Sequence, residues 1–172
     1  MNEKLDNYLV EKYPKIFVNR YEDKMKTLMC WGFEHNDGWF WLIDQLCESI
    51  QNHIDSNNKY SSEDKQISQV VADQVKEKFG GLRFYHSGGD SHIEGMVSMA
   101  ENMSYNICEF CGSTKNVGQT MGWYYTICKE CYDNSDQKIS SLKWKENEDK
   151  EIEMCKELRK IKLDKINVEK IK

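Results

Sequence analysis

Cys108-Glu109-Phe110-Cys111, then sixteen residues, then Cys128-Lys129-Glu130-Cys131 is the stretch that decides how the second half of this chain folds. Two CxxC pairs at this separation match the ligand pattern of a structural zinc site. Each pair fits a tight knuckle with both sulfurs facing inward. A short hairpin brings the knuckles together, and Trp123, Tyr125 and Ile127 alternate before the second one as a ribbon strand should. Cys108, Cys111, Cys128 and Cys131 would close a tetrahedral Zn2+ shell with no position left for a substrate. The expected metal is therefore a staple, and loss of any ligand should unfold the ribbon.

Upstream, Ile93, Met96, Val97, Ala100 and Met103 form an apolar stripe at helical spacing that runs into the first knuckle. Ser91 and Glu94 have capping-box spacing, after a turn at Ser87-Gly88-Gly89-Asp90-Ser91. Apolar residues alternate on both sides of Gly80-Gly81, which predicts a β-hairpin; residues 67–74 fit a short helix equally well. Residues 55–66 are polar and turn-rich and read as a loop. Trp39, Leu42, Ile43, Leu46, Cys47, Ile50 and Ile54 form one helical stripe, with Asp37 placed to cap it. Trp41 falls on the opposite, polar face. Residues 25–34 read as a strand or extended segment, and Pro14, the only proline, closes a first helix that starts near residue 3.

Beyond Cys131 the chain has no glycine or proline and is dense in Lys and Glu. Met154, Leu158, Ile161 and Val168 follow a 4-3 spacing, with Lys165 in the vacant slot, so a charged helix is expected, either solvated or paired in a short coiled coil. The fold class is α+β. A core over residues 1–106 has helices on a small antiparallel sheet, a zinc ribbon spans 107–132, and a charged helical tail spans 133–172.

The seven cysteines do not suggest a disulfide framework, because Cys30, Cys47 and Cys155 stand alone. A reducing cytosol fits better. No apolar run is long enough to cross a membrane, and the first residues do not resemble a secretory signal. The chain carries a net charge of −5. Residues 1–132 hold 13 basic and 19 acidic side chains, whereas 133–172 hold 11 and 10. The ribbon itself is balanced, so binding to a phosphate backbone gets little electrostatic support.

Other residues carry weaker signals. Arg83, His86, Gly88, Gly89 and His92 surround a turn at a helix start, where glycine amides and the helix dipole could hold a nucleotide or another phosphorylated ligand. The plain alternative is a capped turn, with Asp90 opposing any anion. Trp31, Phe33, Trp39, Phe40 and Trp41 cluster within eleven residues. Most belong to a core, but Trp41 on its polar face suits either a partner-binding anchor or a side chain covered by the tail or the ribbon. Cys30 lies near Glu34 and His35, a weak cue for a nucleophile pair. With no nucleophile elbow, phosphate loop or HExxH motif, no enzyme activity is expected.

Three segments together resemble a family of proteins carried by tailed phages and prophages. They are Met29 to Cys47 (MCWGFEHNDGWFWLIDQLC), Val75 to Asp90 (VKEKFGGLRFYHSGGD), and the CxxC pairs with Gly122-Trp123 between them. The resemblance covers roughly residues 8–132. In that family the second knuckle often ends in histidine, so Cys131 would be a variant of the same site. The resemblance implies a phage origin and a host-cell cytoplasm, and it supplies no activity or catalytic residue. The leading expectation is a non-enzymatic protein that binds a host protein, such as an antiviral defence complex, and inhibits or redirects it. The others are sequestration of a nucleotide signal at the Arg83–Ser91 turn and a nucleic-acid-binding regulator that uses the ribbon. The tail offers a route to a homo-oligomer.

Overall fold

The computed structural model describes residues 1–147. The α+β class holds: helices pack on a small sheet, and the four cysteines cluster beside a second sheet. Helix α1 (Glu3–Lys12) starts at Asn2, whose side chain accepts from the Leu5 amide, and ends just before Pro14. Helix α2 (Phe40–Asn58) buries Leu42, Ile43, Leu46, Cys47, Ile50 and Ile54 on the predicted stripe. It overruns the start of the expected loop, since residues 55–58 are still helical, and its last residue, Asn58, bonds both the amide and the carbonyl of Ile67. Asp44, which lies off that stripe, is buried as well. Lys12 Nζ lies 2.8 Å from its carboxylate and Tyr13 donates to it at 2.8 Å, which clamps α1 against α2.

Two expectations in this region are corrected. Asp37 does not cap α2, because Asp37–Trp39 forms a tight 3-10 turn and the helix begins at Phe40. The Asp37 carboxylate accepts instead from the Asn2 amide and side chain, both at 2.7 Å, joining the starts of the first two helices. Residues 25–34 are mostly not extended: Met29–Trp31 is a 3-10 turn, and only strand β1 (Phe33–Glu34) is β-structure. Gly32 breaks the run at φ 76°, where a Cβ would meet the buried Asp6–Arg20 pair at 2.5–2.8 Å.

Strands β2 (Val71–Lys78) and β3 (Gly81–Ser87) form the predicted hairpin, and residues 71–74 are strand rather than helix. The sheet order is β1-β2-β3, with β1 parallel to β2 and β2 antiparallel to β3. Helix α3 (Ser91–Ser104) protects the outer edge of β3. Ser104 Oγ accepts from Leu82 N at 2.8 Å, and Glu101 accepts from Phe84 N at 3.0 Å. The cap of α3 is Asp90, not Ser91: its Oδ1 accepts from the His92 and Ile93 amides. One buried cluster joins Leu9, Phe17, Trp39, Ile43, Val75, Phe84 and Ile93 across these elements.

The second sheet has the order β5-β4-β6, from β4 (Val117–Met121), β5 (Thr126–Cys128) and β6 (Lys143–Glu146). Short helices α4 (Lys129–Asp133) and α5 (Gln137–Ser140) lie between β5 and β6. A continuous charged helix from residue 133 is therefore not what residues 133–147 form. Ile139 and Trp144 find apolar cover in the ribbon's own cluster, with Val117, Ile127 and the cysteines. Trp144 Nε1 donates to Ile127 O at 3.0 Å. Its ring lies over Gly118, where a Cβ would come within 2.7 Å of it. The coiled-coil positions Met154, Leu158, Ile161 and Val168, with Cys155 and the oligomer expected from them, lie outside the described residues. No helix among the described residues is long and apolar enough to cross a membrane.

Candidate functional site

The cysteine cluster is the best-formed site. The sulfurs of Cys108, Cys111, Cys128 and Cys131 all lie within 4.8 Å of one another and could hold a metal ion. Each knuckle is shaped by backbone bonds. Gly112 N donates to Cys108 O at 2.8 Å, Cys108 N donates to Ser113 O at 2.8 Å, and Cys131 N points at Cys128 Sγ at 3.4 Å. Gly112 permits the tight return with φ 76°. Cys108 and Cys128 are buried, while Cys111 reaches the surface.

Without a cation, this crowding shifts the thiols apart. Burial pushes Cys108 up to about 11. Burial and then the Cys111 and Cys128 thiols raise Cys131 further. At Cys111 burial is outweighed by hydrogen bonds from the Ser113 backbone and the other thiols, so its pKa falls below the ordinary thiol value. A divalent cation at the centre would favour thiolate at all four positions. Four sulfur donors suit a soft or borderline ion held structurally.

Glu109, inside the first knuckle, joins the ribbon to the core. It is 2 % exposed, and its Oε1 accepts from the Asn36 amide at 3.1 Å and the Asn36 side chain at 2.9 Å. Burial raises its pKa above the usual carboxylate range. Glu109 O accepts from Gly38 N at 2.7 Å, and Ile107 O accepts from Trp39 Nε1 at 2.9 Å. Gly38 lies so close to the knuckle that a Cβ there would be 2.1 Å from Cys108 O. On the other side, Thr126 Oγ1 accepts from the Gln119 side chain and itself donates to Gly80 O.

The residues expected around the Gly88-Gly89 turn do not converge. Arg83 donates to Leu82 O at 2.6 Å and to the Tyr105 hydroxyl at 2.9 Å. It stands four residues from Ser87 along β3, roughly 13 Å away. His86 is nearly buried, with Nε2 3.7 Å from Glu94. Gly88 and Gly89 have φ of 77° and 88°, as a nest would, but the Gly89 amide already donates to Ser68 O and Oγ at 3.0 Å each. A Cβ on Gly88 would be 2.1 Å from Gln69 O. His92 stacks on His53 with ring centroids 4.5 Å apart, and His53 Nε2 is 3.0 Å from Asp90 Oδ2. Sequence reading missed His53, which lies 37 residues before Asp90 on another helix.

Trp41 stands where its helical phase put it, 63 % exposed. Cys30 and His35 do not form a pair: Cys30 Sγ donates to Thr27 O at 3.1 Å, and His35 Nδ1 lies 2.7 Å from Asn36 O. Comparisons with protein-family models, with curated proteins and with solved structures returned no match.

Proposed function

We propose that this chain is a non-enzymatic binding protein whose ribbon is stapled by Zn2+ at Cys108, Cys111, Cys128 and Cys131, and that it acts by docking on a partner protein. The observation that carries the docking reading is Trp41. It presents most of its ring to solvent from α2, a helix whose opposite face is fixed in the core. A large aromatic on a rigid helix is the type of side chain that anchors protein interfaces. The phage-family resemblance suggests the setting, a host cytoplasm, and the kind of partner, a host protein that the phage gains by inhibiting or redirecting. An antiviral defence complex is one such target.

Sequestration of a nucleotide at Arg83, Gly88, Gly89 and His92 is the weaker reading, since Ser68 and Asp90 already occupy the turn's amides. The test is affinity purification from host lysate with wild type and Trp41→Ala side by side. A stoichiometric protein captured by wild type and lost by about 2 kcal/mol of affinity in the variant is expected. Equal capture by both would remove Trp41 from the interface. A nucleotide released from the purified protein, with no protein partner, would favour sequestration.

A further inference from the structure

The surface where the two hairpins meet plays no part in the metal centre or in the Trp41 reading. Phe79 and Gly80 make the β2–β3 turn with φ of 55° and 77°. A positive φ at the first turn position suits Asn, Asp or Gly and strains a bulky side chain. Phe79 is also 68 % exposed, so its ring neither eases the turn nor fills the core. Gly80 faces the ribbon, its carbonyl held by Thr126, and this directs Phe79 outward. Beside it, the β4–β5 turn exposes Trp123 and Tyr124. These three rings line a cleft of about 390 Å³ together with Lys78 and Glu77. Tyr124 also lines a cleft of about 500 Å³ that reaches Tyr105.

Cations stand against the rings of this surface, although the chain as a whole is at net −5. Lys78 Nζ lies 5.8 Å from the Phe79 ring, Lys138 Nζ 6.0 Å from Trp123, and the Arg83 guanidinium 5.9 Å from Tyr105. Lys143 sits in register across from Met121. Of the nearby carboxylates, Glu77 lines the smaller cleft with one oxygen on the Gly80 amide, Glu101 is bound to the Phe84 amide, and Glu146 lines the larger cleft.

We propose that this groove binds a single strand of nucleic acid. Exposed aromatic faces accept any unpaired base, and cations beside the rings meet the phosphates. A duplex hides its base faces, so it would engage the cations alone. Phe79 then has a reason to keep a strained, exposed position: the site needs its ring.

The experiment titrates full-length, zinc-loaded protein into fluorescein-labelled dT12, rU12 and a 12-base-pair duplex, and reads anisotropy. Single strands should bind more tightly than the duplex. Log affinity should fall with log salt at a slope of about −2, for three phosphates at roughly −0.7 each. Trp123→Ala should weaken binding about tenfold, and Phe79→Asn should do the same while raising thermal stability, because Asn suits the turn. Trp41→Ala should leave oligonucleotide affinity unchanged, which keeps this test separate from protein docking. The inference is overturned by no anisotropy change at low salt, by equal affinity for the duplex, or by single-strand binding that survives both ring substitutions. Capture of a protein through Phe79 and Trp123, with no oligonucleotide binding, would overturn it as well.

Discussion

The two cysteine knuckles and the Ser87–Ser91 turn both offer ligand donors in a compact stretch, yet the fold treats them differently. At the knuckles four sulfurs converge within 4.8 Å, and sulfur makes poor hydrogen bonds to its own chain. At the turn the donors are amides, which any nearby oxygen can satisfy. Ser68 takes the Gly89 amide, and Asp90 takes those of His92 and Ile93. A run of donors stays open to a ligand only where the chain itself has no acceptor at the right distance. Thiols gathered in a cluster meet that condition and backbone amides beside an Asp do not.

The largest test of this contrast is metal removal. Chelation, or Cys108→Ser, should withdraw about 10 kcal/mol of metal-linked folding energy from the ribbon. Hydrogen exchange should show Val117–Met121 losing protection while the Leu42–Ile54 face of α2 keeps it. Elemental analysis of the untreated protein should return one zinc per chain. A chelated protein with unchanged protection in β4 would show that the ribbon's small apolar cluster suffices without metal.

A smaller effect is expected where the two regions touch. Gly38→Ala places a Cβ 2.1 Å from Cys108 O and 2.5 Å from Gly112 N, both backbone atoms that no rotamer change can move. Urea unfolding should show a loss of about 3 kcal/mol. Zinc content should stay at one per chain, since no ligand is touched. A loss below about 0.5 kcal/mol would mean that the knuckle does not rest on Gly38.

The sequence was most legible where one residue type or period dominates. The Trp39–Ile54 stripe, the Gly80 hairpin and the CxxC pairs each depend on local chemistry, and all three are in place. What escaped depends on distant partners. Trp144 sits in a lysine-rich run that reads as helix, and only the space above Gly118 makes it a strand residue. Glu109 is an ordinary acid until Asn36, 73 residues earlier, closes on it. The cations that meet Phe79 and Trp123, Lys78 and Lys138, are sixty residues apart, too scattered in sequence to register as a basic patch.

The turn side of the contrast can be sharpened by taking away its internal anion. Asp90→Ala removes the cap of α3 and the partner of His53, a loss of about 1 kcal/mol and a melting temperature lower by roughly 2–4 °C. The His53 side chain and the Ile93 amide hold the Asp90 carboxyl below the usual carboxylate range. A carboxyl with a depressed folded pKa stabilises the protein above its unfolded value near 4, and the benefit fades as pH falls through the folded value. Stability of the variant should therefore vary less with acid than that of wild type. The variant also leaves the His92 and Ile93 amides facing solvent at the positive end of a helix, so inorganic phosphate should recover part of the lost melting temperature. Wild type should gain less from the same phosphate, because Asp90 already fills that position. Equal gains in both proteins would mean that the salt acts on the whole surface, and that Asp90 is a cap without being a substitute for an anion.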